Sequence, residues 1–101
     1  MKVYLSELAE SKLLKLTEYL IEKWNLKVKN EFVAKLTEKI NQITLQPDSC
    51  PRSKELNGLY KCVVTKQTTF YYRVNFEKKE IEIITLFDTR QNPSKLKKQL
   101  K

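Results

Sequence analysis

Apolar residues in this chain change period along its length, and each change marks a boundary between elements. From Glu7 to about Trp24 the apolar positions Leu8/Ala9, Leu13, Leu16, Leu20 and Trp24 recur at steps of three and four, with Glu10, Lys12, Lys15, Glu18, Glu22 and Lys23 mostly on the other side. This spacing predicts an amphipathic helix of about 17 residues, near 25 Å long. Asn25 and Leu26 interrupt the pattern, and Val28, Phe32, Leu36, Ile40 and Ile43 resume it, predicting a second helix from about Lys27 to Leu45. With so short a link the two helices form an antiparallel hairpin. Trp24, at the break, is expected to anchor the end of that hairpin.

Period two rules the rest. Phe70, Tyr72, Val74 and Phe76 share one parity and Tyr71, Arg73 and Asn75 the other, as in a strand with one face in a core. Glu80 to Phe87 is rich in β-branched residues and is expected to pair with it across the turn Glu77-Lys78-Lys79-Glu80. Leu59 to Thr65 predicts another strand, with Tyr60, Cys62 and Val64 on one face and Lys61, Val63 and Thr65 on the other. At the start, Lys2 to Leu5 reads as a brief strand running into the helix that Ser6 caps.

Between the second helix and these later strands, Gln46 to Gly58 gathers Pro47, Pro51 and the single glycine into a polar loop, with Arg52 and Lys54 as candidate contacts. After Pro93, Ser94 could cap a short basic helix or tail bearing Leu96 and Leu100. The order is β-α-α-β-β-β, an α+β class with a mostly antiparallel sheet and the helical hairpin packed on one face. All 101 residues form one domain.

Composition narrows the chemistry. With 41% hydrophobic residues, 32% charged and one glycine, the chain has the makings of a core and is not a disordered tail. No apolar run approaches a membrane span, and the opening MKVYLSELAESK has no long apolar segment of a secretory signal, so a cytoplasmic protein without a membrane partner is expected. Cys50 and Cys62 are too few for a disulfide framework, and without histidine a zinc site would need an unusual ligand set, so neither metal nor cofactor is expected. The missing histidine also removes the commonest general base near neutral pH.

The net charge of +8 is unevenly placed: residues 1–50 carry eight basic and seven acidic groups, residues 51–79 seven and two, residues 80–87 none and two, and residues 88–101 five and one. A positive field in the second half suits a polyanion or an acidic protein segment. Within it the candidate working surface is the polar face of the central hairpin and its exit: Tyr71, Arg73, Lys61 and Lys66, then Asp88 and Arg90 in DTRQNP. Arg73 could instead pair across strands with Glu80 or Glu82.

The first helix with its tyrosine and tryptophan (LLKLTEYLIEKW), the second leading to a proline loop (FVAKLTEKINQITLQP), the strand FYYRV and the run IEIITLFDTRQNP together resemble the RelE/ParE superfamily, the toxins of bacterial type II toxin–antitoxin modules. The resemblance implies this same fold, a cytoplasmic location and neutralisation by a cognate antitoxin. It also implies one of two targets: the ribosome and its mRNA, cut by RelE-like members, or DNA gyrase, blocked by ParE-like ones. The fold alone does not choose between them.

Metal-free RNA cleavage needs a base for the 2′-hydroxyl and cations for the phosphate. Against the RelE-like pattern, Lys61 fits the first lysine, Val63 stands at the second, Thr69 stands at an arginine position, and Arg90 fits the arginine after the last strand. The tyrosine near the end is missing. Arg73, four residues from Thr69, keeps its parity and could substitute. The closing sequence looks more like the ParE branch, which needs no catalytic set. A third reading is a nucleic-acid-binding face of Tyr71, Arg73 and Lys61 unrelated to toxins. Arg90→Ala is expected to abolish toxicity under either toxin reading, and Lys61→Ala only if RNA is cut; colony counts after induction measure both.

Overall fold

The computed structural model describes residues 1–88, and Arg90 and the basic run after Pro93 lie outside the described residues. The elements are β1 (Lys2–Leu5), α1 (Glu7–Lys23), α2 (Leu26–Leu45), β2 (Tyr60–Val63), β3 (Thr68–Asn75) and β4 (Glu80–Asp88). They form a four-stranded sheet in the order β1-β4-β3-β2, with the β-α-α-β-β-β succession the periodicity predicts. β2 and β3, and β3 and β4, pair antiparallel, while β1 runs parallel to β4. The helical hairpin carries the chain from β1 at one edge to β2 at the other, and β4 then returns beside β1 in the parallel sense.

Each helix starts where its sequence offers a cap. The Ser6 hydroxyl accepts from the Ala9 amide at 3.0 Å, and the Asn25 side chain accepts from the Val28 amide at 2.9 Å. Glu7 and Glu10 in the first turn of α1 and Lys23 in its last complement the helix dipole.

The apolar stripes of both helices meet the sheet. Ala9, Phe32, Leu36 and Ile43 pack with Tyr60, Cys62, Phe70, Tyr72, Ile81, Ile83 and Leu86 in one core, edged by Leu13, Leu16, Leu20 and Ile40. Fully burying an Ile or Phe side chain is worth about 1.5–3 kcal/mol, so this layer supplies most of the driving force. The register between β3 and β4 shifts between Tyr71 and Tyr72, where Tyr71 pairs with Thr85 but Tyr72 with Ile83, leaving Ile84 as an extra residue. That bulge is why Ile81, Ile83 and Leu86 all reach the helical side although their parity changes.

At the ends of β3 and α1 two expectations need correction. Phe76, assigned to the core by parity, lies beyond the end of β3 and is exposed, because the strand gives way to the turn after Asn75. Trp24 caps α1 with its backbone but is 67% exposed, so it does not close the hairpin by burial.

Tyr72 ties the loop to the sheet. Its ring stacks on Tyr60 with centroids 5.1 Å apart, and its hydroxyl donates to the Pro47 carbonyl at 2.7 Å. Burial first, and then the neighbouring Cys50, push its pKa well above the ordinary tyrosine value. A raised folded-state pKa means the stability linked to this hydroxyl is fully present below about pH 10, the unfolded value, and is lost as pH rises toward the folded one. Tyr72→Phe is expected to cost about 1 kcal/mol at neutral pH and to flatten the fall in stability above about pH 10, both read from urea unfolding. An unchanged midpoint at neutral pH would remove the hydroxyl as an anchor.

Candidate functional site

Two surfaces hold the candidate residues. The first is the sheet face turned away from the helices. Lys61 and Tyr71 stand opposite each other across β2 and β3, and Arg73 follows two residues along the same face, so the strands bring these three together as their parity requires.

They are not free to act together. Tyr71 is 3% exposed and packs with Phe87 beneath Leu56 and Leu59 of the polar loop. It is therefore a second small core and not the exposed aromatic that alternation suggested. Gly58, at φ +83°, makes the left-handed turn between those two leucines, and a Cβ there would meet nothing within 4 Å, so backbone conformation alone favours glycine. Burial and, secondarily, Glu55 raise the Tyr71 pKa.

Both cations of this face already hold carboxylates. Lys61 Nζ lies 3.5 Å from Glu55, whose carboxylate also accepts from the Ser53 hydroxyl at 3.0 Å. A hydrogen bond from its own backbone, helped by Ser53 and Lys61, keeps the Glu55 pKa below the ordinary value against the opposing effect of burial. Arg73 donates through Nε and Nη2 to Glu82 Oε1 at 3.0 and 2.7 Å, the cross-strand partnership left open above. Thr69, at the position where the RelE-like pattern carries arginine, is fully buried, and its hydroxyl has no hydrogen-bond partner among the described residues.

The remaining candidates scatter. Arg52 lies over the Tyr60 ring, its guanidinium carbon 5.0 Å from the centroid. Lys54 is exposed on the loop, and Lys66 is exposed in the turn between β2 and β3. Asp88 closes β4 with its backbone opposite Thr68.

The second surface escaped the sequence reading. A groove of about 560 Å³ opens between the two helices and the end of the sheet, lined by Leu16, Tyr19, Leu20 and Trp24 of α1, Val28 and Phe32 of α2, Leu86 and Phe87 of β4, and the turn residues Thr65 to Thr68. Lys12, Lys35 and Lys66 border it against a single carboxylate, Glu31, so its rim is basic. Tyr19 and Trp24 are the signal that could have found it. Large aromatic groups at the end of an amphipathic helix remain exposed here, which marks an interaction surface where they cluster in a concavity.

Among the described residues no group of three or more His, Cys, Asp or Glu is placed to hold a metal ion, and no helix is long and apolar enough to cross a membrane.

Comparison with known proteins gives this geometry a family. The fold is similar to that of a chromosomal ParDE TA system from P. aeruginosa, at 14% identity over 87% of this chain and 95% of that one with a TM-score of 0.71. It is also similar to a YoeB/ParE toxin from Agrobacterium tumefaciens, at 17% identity over 87% and 98% with a TM-score of 0.63. The intact E. coli RelBE toxin–antitoxin complex aligns at 15% identity over 89% and 98% with a TM-score of 0.60. No curated protein matches in sequence. The family model of the ParE toxin of the type II toxin–antitoxin system parDE matches residues 3–93, and the chain therefore belongs to that family within the RelE/ParE superfamily, as a toxin of a type II toxin–antitoxin system.

Proposed function

We propose that this toxin acts in the cytoplasm by binding a target protein, DNA gyrase, and not by cutting mRNA on the ribosome. The observation that carries the reading is the state of the would-be catalytic face. Phosphate stabilisation requires cations aimed at the developing charge and free of prior partners. Here Lys61 and Arg73 each hold a carboxylate, and Tyr71 and Thr69 are buried. Recruiting them for RNA cleavage would require breaking two ion pairs and lifting Leu56 and Leu59. A docking toxin needs none of that, only a rigid surface and a positive field, and the ParE family match supports the same choice.

The groove is then the seat of the cognate antitoxin. An amphipathic segment can lay apolar side chains against Leu16, Leu20, Val28 and Phe32 while its acidic groups meet Lys12 and Lys35. A disordered acidic partner folding into this seat fits the excess positive charge of the chain.

Supercoiling by purified gyrase is expected to fall as the toxin is added, and mRNA from expressing cells is expected to show no codon-phased cuts by primer extension. Phased cuts with gyrase unaffected would overturn the target assignment. For the groove, Trp24→Glu is expected to keep toxicity while weakening rescue by the antitoxin encoded beside it, with affinity lowered on the order of tenfold or more. Full rescue of the Trp24→Glu toxin would place the antitoxin elsewhere.

A further inference from the structure

Cys50 lies within the polar loop and Cys62 in β2, and the chain folds back so that they meet. Arg52 bridges Tyr60 in the antiparallel sense. The Ser53 amide donates to the Leu59 carbonyl and the Lys61 amide to the Pro51 carbonyl, each at 2.8 Å. These bonds flank the Arg52/Tyr60 pair, which makes it a non-hydrogen-bonded pair of a short ladder. Pro51, which accepts from the Lys61 amide, has no N–H to extend the ladder, but continuing this register one step would bring Cys50 toward Cys62. Facing residues of antiparallel segments have Cα atoms about 4.5–5.5 Å apart, and a disulfide spans roughly 4.4–6.8 Å.

The side chains agree with the register. Cys62 faces the helices together with Tyr60, Phe70 and Tyr72, and Cys50 belongs to the same core, with exposures of 1% and 7%. Burial, and after it contact with the Cys50 thiol, raise the pKa of Cys62. Both cysteines are free thiols. Two sulfurs without a third ligand among the described residues make a poor metal site, so the chemistry open to them is with each other.

We propose that Cys50 and Cys62 are a redox modification site: a small-molecule disulfide such as oxidised glutathione converts them into an intramolecular disulfide that fixes the Gln46–Gly58 loop against β2. Cys50, the more accessible thiol, loses its proton and attacks one sulfur of the oxidant. One small thiolate leaves and takes up that proton, and a mixed disulfide remains on Cys50. Cys62 then gives up its proton and attacks the Cys50 sulfur, expelling the second small thiol. Two protein thiols are oxidised to one disulfide, and one small disulfide is reduced to two thiols. In a reducing compartment the pair rests as the dithiol.

The bond would close a ring of roughly a dozen residues that holds Glu55, Leu56 and Leu59, the groups that cover Lys61 and Tyr71. Oxidation therefore fastens the cover over the far face of the sheet, whichever target the toxin has.

The test treats the purified full-length chain with oxidised glutathione under native conditions. Expected are an intact mass lighter by two hydrogen atoms, no remaining titratable thiol, a tryptic species joining residues 40–52 to residues 62–66, and a Tm raised on the order of 10 °C that dithiothreitol reverses. Cys62→Val, which keeps the site apolar, is expected to abolish the shift and to leave only an adduct on Cys50. The proposal is overturned if wild-type protein ends as a stable glutathione adduct or a disulfide-linked dimer, if both thiols still titrate, or if the internal bond forms with no rise in Tm.

Discussion

The fold depends on how Ser6 is held by the bulge in β4. Its amide donates to the Ile83 carbonyl at 2.9 Å, and its hydroxyl donates to the Ile84 carbonyl at 2.6 Å while accepting from the Ala9 amide at 3.0 Å. Ile84 is the residue that the bulge leaves out of the β3–β4 pairing, so its carbonyl is available to a side chain. One residue thus ends β1, starts α1 and fixes the helix to the central strand. The direction in which α1 leaves the sheet follows from that junction, and with it the placement of α2 and the groove between the helices and the end of β4.

The element order and the main core were legible in the sequence because each stripe is a local property. Leu13, Leu16 and Leu20, or Phe32, Leu36 and Ile43, announce a buried helix face whatever they pack against. Alternation in FYYRV likewise tells that Phe70 and Tyr72 share a face. It says nothing about whether the opposite face is covered, and here a loop placed more than ten residues earlier in the chain covers it. Tyr71 departs from the alternation for that reason, since its burial depends on Leu56 and Leu59 and not on its strand neighbours alone. The bulge left a trace in IEIITLF, where the core parity of Ile81 and Ile83 jumps to Leu86, but a β-branched run masks such a jump.

The candidate site was legible in composition and not in geometry. Lysine and arginine counts place the excess positive charge in the second half of the sequence, yet they do not say which cations are already engaged. Glu82 takes Arg73, and Glu55 takes Lys61. Exposed pairs of this kind contribute about 0–1 kcal/mol to stability, so their importance lies less in holding the fold than in which charges they leave for a ligand. Thr69 adds a steric argument to the electrostatic one. A fully buried threonine where the RelE-like pattern carries arginine offers no group to a phosphate at that part of the sheet.

The two surfaces differ in what they demand of a partner. On the far face Tyr71 is covered and the cations are engaged by contacts within the chain: a leucine pair, two ion pairs, and a loop joined to the core through the Tyr72 hydroxyl and the Cys50/Cys62 contact. The groove is open, with Tyr19 and Trp24 exposed beside apolar walls, and exposed aromatic surface in a concavity costs solvation free energy until something covers it. A ligand gains by covering the groove, whereas on the far face it would first have to displace contacts the protein already makes. That asymmetry makes the helical side the stronger candidate for protein recognition, and it assigns the polar loop a different part: it covers Tyr71, which the sheet's alternation alone would have left open.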